Sequence, residues 1–180
     1  MTDIQKHFIP VSPGLITIRP ATHADDDAIW AIFRTVIASG DTCVFDPATP
    51  REDALAYWFR AGTHPYVAEI DGKVAGSYIV RPNQPDLGSH VANASYLVFP
   101  EARGQGVGKA MGAHSLTEAA RLGFRAMQFN IVVSTNEVAV RLWLSLGFRI
   151  VGTLPGVFRH ARLGFVDAYV MFRELKGTRA

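Results

Sequence analysis

Between Ser95 and Gly112 the chain reads Ser-Tyr-Leu-Val-Phe-Pro-Glu-Ala-Arg-Gly-Gln-Gly-Val-Gly-Lys-Ala-Met-Gly, an apolar strand-like run that turns through glycines into a helix. Such a stretch can hold phosphate. Gly104, Gly106 and Gly108 let the backbone turn tightly and aim several N–H groups at one point. The helix that follows adds its own unpaired N–H groups and the positive end of its dipole. Arg103 and Lys109 set full charges at the rim, with Gln105 and Val107 between the glycines. Spacing then narrows the kind of phosphate. A Walker loop ends in Gly-Lys-Ser/Thr, but counting back from Gly108-Lys109 puts Arg103 where its first Gly belongs and Ala110 at the hydroxyl. A G-x-G-x-x-G dinucleotide loop started at Gly104 ends on Lys109, and started at Gly106 it ends on Met111.

Three further side chains could act on a substrate. Between Asp86 and Glu101 there is no carboxylate, and His90 alone titrates in the neutral range. Asn93 and Asn130 each lie mid-strand among apolar residues, where an amide is costly unless paired. Two uses stay open for them: bonding backbone where the sheet is irregular, or holding a small polar substrate. Cys43 has no base near it in sequence and reads as a partly buried small apolar residue. The six histidines show no metal-ligand spacing, so no metal is expected. Asp167 reads as a structural residue bonding backbone at the entrance of the last strand.

The elements that must position these groups follow from periodicity. Leu15 to Arg19 alternates as a first strand, closed by Pro20. Thr22 or His23 opens a helix with Asp25, Asp26 and Asp27 in its first turn and an apolar stripe of Ile29, Ile32, Phe33, Val36 and Ile37. A second helix spans Ala54 to Phe59. Tyr66–Ile70 and Val74–Val80 form a hairpin across Asp71-Gly72, a type I′ turn signal. Residues 81–89 read as loop, Val91 to Phe99 as the fourth strand, and the glycine loop leads into a helix ending near Leu122. Met127 to Val133 reads as a fifth strand buried on both faces. A helix from Asn136 to Leu146 follows, with Ser134 and Glu137 as its capping box and Gly147 as its left-handed stop. Phe148–Leu154 and Val166–Phe172 close the chain as two strands joined by a loop.

Bulk properties limit the function. One domain is expected, residues 15–176, behind a loose arm at 1–14. With 48% apolar and 19% charged residues the chain reads as globular. A net charge of +2 with scattered basic residues speaks against nucleic acid, and no apolar run approaches the length of a membrane span. A single cysteine fits a reducing, cytoplasmic setting.

Arg103-x-x-Gly106-x-Gly108 resembles the pyrophosphate loop of the GCN5-related N-acetyltransferases, the GNAT superfamily. Asn136-x-x-Ala139-x-x-Leu142 leading to Gly147-Phe148 resembles that family's second acetyl-CoA segment. The resemblance implies an α/β GNAT fold: a mixed sheet of about seven strands, splayed between strands 4 and 5 and flanked by about four helices. It implies acetyl-CoA as co-substrate, its pyrophosphate on residues Arg103 to Lys109. Its pantetheine arm would pair with backbone near Leu97 and Val98, and Asn136 would bond that arm where the small Ala139 lets the helix lie close. An amine would then attack the thioester directly, the oxyanion held by an N–H of the fourth strand. Two departures stand out. Trp143 occupies the place of the tyrosine that protonates the thiolate in many relatives, which leaves it a cofactor contact or a core residue. The usual strand-4 glutamate is missing, which leaves His90 as a base acting through water.

His-Val-x-Asn-Ala around Asn93 and Phe-Asn-Ile-Val around Asn130 resemble a branch containing fungal N-acetyltransferases of proline analogues. In that branch these asparagines bind the substrate carboxylate. The expected acceptor is therefore a small amine, with an amino acid or analogue the best choice. A protein N-terminal acetyltransferase and a non-catalytic acyl-CoA-binding module remain alternatives. By analogy, a homodimer would form through the closing strand Val166–Phe172.

Overall fold

The computed structural model describes residues 15–175; the expected arm, 1–14, and the domain's expected last residue lie outside them. The elements run β1 (Ile16–Pro20), α1 (Asp26–Ile37), α2 (Arg51–Trp58), β2 (His64–Ile70), β3 (Lys73–Pro82), β4 (Val91–Val98), α3 (Val107–Arg121), β5 (Ala126–Val133), α4 (Glu137–Ser145), β6 (Arg149–His160) and β7 (Gly164–Glu174). One seven-stranded sheet has the order β1-β2-β3-β4-β5-β7-β6. All neighbours are antiparallel except β4 and β5. Helices α1 and α2 pack on one face with Val67, Ile79 and Leu97. Helices α3 and α4 pack on the other with Tyr66, Tyr78, Met127 and Phe129.

Local chemistry explains most of these elements. Asp71 and Gly72 have φ of 49° and 77°, the paired positive values of a type I′ turn, so Ile70 faces Lys73 across the hairpin. The whole predicted stripe of α1, from Ile29 to Ile37, is buried. A capping box does occur, at Thr22 and Asp25, where each side chain takes the other residue's backbone N–H. Arg19 clamps the same Asp25 through both carboxylate oxygens at 2.9 and 2.8 Å and reaches Glu69 as well, tying β1, β2 and the start of α1 together.

Four expectations need correction. The cap of α4 is Asn136, whose Oδ1 accepts from Ala139 N at 3.2 Å, and not Ser134. An asparagine placed directly before the first helical residue reaches the orphan N–H more readily than a serine two residues further back. The loop expected after Leu154 is mostly strand: β6 runs on to His160 through a bulge between Leu154 and Phe158 that absorbs Pro155 and Gly156. The carboxylate of Asp167 accepts from Gly156 N at 2.9 Å and holds that bulge, so its backbone bond lies across the hairpin. The closing strand β7 lies inside the sheet between β5 and β6, so the sheet's edges are β1 and β6. Finally, β5 is not buried throughout. Asn130 and Ile131 are exposed because the register with β7 shifts between Phe129 and Val132, lifting them out of both cores.

Candidate active site

The parallel pair β4 and β5 is joined at only two positions, Val91 with Ala126 and Ala92 with Met127. Beyond Ala92 the strands part. On its other side β4 stays fully registered on β3, from Ala92 opposite Pro82 to Val98 opposite Gly76. Residues 93–98 therefore keep one ladder satisfied and have no ladder partner on β5. Buried backbone of this kind asks for a ligand bearing amides of its own. Leu97 and Val98, expected to pair with an amide-bearing arm, lie in this segment, with the Leu97 side chain buried under α1.

The glycine loop opens at the end of that gap. Gly104 and Gly106 have φ of 77° and 86°, and Gly106 is the left-handed N-cap of α3. The first helical bond runs from Ala110 N to Gly106 O at 2.9 Å, which frees the N–H groups of Val107, Gly108 and Lys109 at the helix end. The Val107 side chain is buried in the core and anchors the turn. Gly108 differs from the other two glycines. A Cβ built there would meet nothing nearer than Leu142 at 3.5 Å, so packing does not demand glycine. Its bare backbone leaves room for an anion to approach. Arg103, Gln105 and Lys109 are exposed around the loop, and Gln105 donates to Glu101 O at 2.8 Å.

Under the gap lies an aromatic floor. Trp143 is buried between Tyr96 and Phe129, ring centres 4.7 and 4.8 Å away, and stands over Gly112, where a Cβ would press on Trp143 and Leu146. The Tyr96 hydroxyl lies 2.7 Å from Ser115 Oγ. Burial pushes its pKa far up, so it is a weak source of protons. Asn136 spends Oδ1 on its cap and keeps its NH₂ for donation, while Ala139 follows in the first turn of α4.

On the opposite face stand the expected acceptor residues, which both meet Gln128 but differ in burial. Asn93 is buried, and its Nδ2 donates to Gln128 O at 2.9 Å. It lies one residue past the last ladder pair, so its amide replaces the backbone bond lost where the strands part. Asn130 is exposed; it donates to Asn83 Oδ1 at 2.7 Å and accepts from Gln128 Nε2 at 2.9 Å. His90 is exposed at the paired end of β4, with Nδ1 3.1 Å from Leu87 O. In the tautomer that donates there, Nε2 remains an acceptor. Above this face Ala161 N donates to Gly40 O at 2.9 Å, tying the α1–α2 connection to the β6–β7 hairpin. That strap links the two sides of the gap. Cys43, in the same connection, is half-buried, and burial raises its thiol pKa. Among the described residues no cluster of His, Cys, Asp and Glu could hold a metal. No helix there is long and apolar enough to cross a membrane.

Residues 29–148 match the family model described as acetyltransferase (GNAT) family. The chain belongs to that family. A GCN5-related N-acetyltransferase from Kribbella flavida superposes with a TM-score of 0.85 at 44% identity, over 89% of this chain and 98% of that one. A Sinorhizobium meliloti phosphinothricin acetyltransferase of the superfamily, solved in complex with acetyl-CoA, gives 0.79 at 25% identity, over 91% and 90%. Among curated relatives, N-acetyltransferase aca1 of Schizosaccharomyces pombe is 37% identical over 57% of this chain. The match spans about half, 51%, of that relative's length. The L-methionine sulfoximine/L-methionine sulfone acetyltransferase of Salmonella typhimurium is 29% identical over 79% of this chain and 85% of its own.

For a GNAT chain, the observed seven strands, four α-helices and parallel splayed pair are the expected architecture. Arg81, Thr63 and Tyr57 were not singled out in the sequence, and they border the acceptor face. Arg81 sits directly opposite Asn93 across β3 and β4. The sequence alone places Arg81 at the start of a loop, whereas β3 runs on to Pro82 and carries Arg81 in its ladder with β4.

Proposed function

We propose that the protein is an acetyl-CoA-dependent N-acetyltransferase whose acceptor is the amine of a small molecule, an amino acid or amino-acid analogue. The observation that carries this reading is the gap beside β4, which leads into the free N–H groups of the α3 glycine loop. Residues Arg103 to Lys109 hold the pyrophosphate, with Gly108 giving it access. Backbone groups of Leu97 and Val98 take the pantetheine amides, Asn136 donates its NH₂ to the arm, and Ala139 lets α4 approach. Trp143 forms the apolar wall beneath the thioester. Acetyl-CoA supplies the activated acyl group; the chain's part is to align it and to stabilise the oxyanion with an N–H from β4.

The acceptor enters from the face carrying Asn93 and Asn130. The Gly40–Ala161 strap narrows that approach, which favours a small acceptor over a folded protein. The named acceptors of two relatives, phosphinothricin and L-methionine sulfoximine or sulfone, are amino-acid analogues and support the same class. Asn93 Oδ1 and the exposed Asn130 orient the acceptor. Its proton leaves through water toward His90 Nε2. A lysine ε-amine, of reference pKa ~10.4, would need a stronger base than a peptide α-amine near ~8; a free amino acid's amine is somewhat more basic than a peptide's and gains from the water relay. A homodimer would use the β6 edge, where Ile150, Val151 and Val157 are exposed.

The test is steady-state thiol release with free amino acids, their analogues and short peptides. Turnover of amino acids with little turnover of peptides is expected. Peptide-only turnover would favour an N-terminal acetyltransferase, and acetyl-CoA binding without any turnover would leave a non-catalytic acyl-CoA module.

A further inference from the structure

Across the acceptor face, one row of residues runs over three strands. Arg81 on β3 lies opposite Asn93 on β4. Thr63 precedes His64, whose partner is Val80, so the register sets Thr63 level with Arg81 on the other side. Among the described residues, two buried side-chain polar atoms lack a hydrogen-bond partner in the protein, and they are Thr63 Oγ1 and Arg81 Nε. They belong to neighbouring positions of this single row. A buried polar group left unpaired is costly, so two side by side point to a shared purpose.

The row is also short of negative charge. Arg81 Nη2 donates to Tyr57 OH at 2.7 Å, and its guanidinium lies 5.1 Å from the Tyr57 ring centre. Arg60 approaches the same ring at 5.9 Å. Neither arginine has a carboxylate partner among the described ion pairs, whereas Arg19 and Arg121 both do. A carboxylate ligand needs donors. Asn93 and Asn130 each already commit a donor, to Gln128 O and Asn83 Oδ1. Arg81 gives one donor to Tyr57 but keeps Nε, and Thr63 keeps its hydroxyl.

We propose that Arg81 and Thr63 bind the carboxylate of the acceptor, with Asn93 beside them turning the acceptor's amine toward the gap between β4 and β5. This rests on the proposed function and names the group by which the enzyme would select amino acids among amines. Arginine suits the task because its planar fork meets a carboxylate with two parallel bonds.

The experiment compares L-methionine sulfone with its carboxamide, which keeps the amine and removes the charge. The unaltered protein should favour the acid by about 100-fold in kcat/KM, the effect of two charge-assisted bonds. Arg81→Met should bring that preference below about threefold while the acetyl-CoA KM stays put, and Arg81→Lys should restore part of it. Thr63→Val guards against misfolding: removing an unpaired hydroxyl should hold or raise the melting temperature while cutting the preference about tenfold. An acid-to-amide ratio unchanged in both Arg81→Met and Thr63→Val overturns the site. Turnover of peptides with neither probe accepted defeats the proposed function instead. Arg81 is then judged by calorimetric binding of N-acetyl-methionine sulfone and its carboxamide to the coenzyme A complex. Equal affinities there overturn the carboxylate site as well.

Discussion

The donor and acceptor sides of the gap are built from different material. Around the glycine loop the groups proposed to bind are backbone: free N–H groups of α3, the side of β4 without a ladder partner, and a glycine with room beside it. Around Asn93 they are side chains, most of them already bonded to one another. Backbone sites depend on local conformation and tolerate many neighbours. Side-chain sites depend on every partner in the row. The donor side should therefore be common to many relatives, and specificity should reside on the acceptor side.

The contrast can be broken most forcefully at Gly108. Gly108→Asp sets a carboxylate against the expected pyrophosphate and should cut kcat/KM for acetyl-CoA about 100-fold or more, since opposed like charges cost several kcal/mol. Its unfolding midpoint should hardly move, because a Cβ has room and an acid in a first helical turn is favourable. An unchanged acetyl-CoA KM would remove the loop from the donor site.

Trp143 sharpens the contrast next. Trp143→Ala should cost about 3–5 kcal/mol of stability in urea unfolding, because it empties a buried aromatic cluster. Trp143→Tyr should leave kcat within about threefold, since burial holds a phenol in this floor protonated, as it does Tyr96. A tenfold rise in kcat would turn that position from wall into acid.

The two asparagines should then differ. Asn93→Ala strands Gln128 O and should cost about 1–3 kcal/mol, measured by urea unfolding. Asn130→Ala, at an exposed position, should change stability by about 0.5 kcal/mol or less. Equal losses would erase the distinction between a bridge across the gap and a surface ligand.

A pH-dependent effect concerns the start of α1, which packs on the same face of the sheet as Asn93. The Arg19 guanidinium holds the Asp25 carboxyl below its usual range, with burial opposing and the Thr22 N–H assisting. Because the folded pKa is the lower one, its stabilisation is complete above about pH 5 and fades as pH falls through the folded value. Asp25→Asn should cost about 1 kcal/mol at pH 7 and flatten the stability profile below about pH 4. A parallel profile for the variant would show that the pair contributes nothing.

The same division explains what the sequence made legible. Glycines, Asp71-Gly72 and the α1 stripe act through local backbone preference and periodicity, so the order of elements, the hairpin and the glycine loop could be read directly. Asn93 was legible as an anomaly, an amide in an apolar strand, but its partner across the gap was not. Thr63, Arg81 and Asn83 come from segments far apart in sequence, and only the register of the sheet sets them in one place. The bulge that lifts Asn130 and Ile131 is likewise a tertiary effect, since the apolar residues around them favour a buried strand.

The open side of β4 has a last consequence, for solubility. Residues 93–98 carry unclaimed ladder groups at the middle of a sheet, a template onto which a stray strand from another molecule can add. The amides of a pantetheine arm would occupy that template much as a guarding strand does. Coenzyme A should therefore raise the onset temperature of aggregation even where catalysis is impossible, and protein stripped of it should be the first to precipitate.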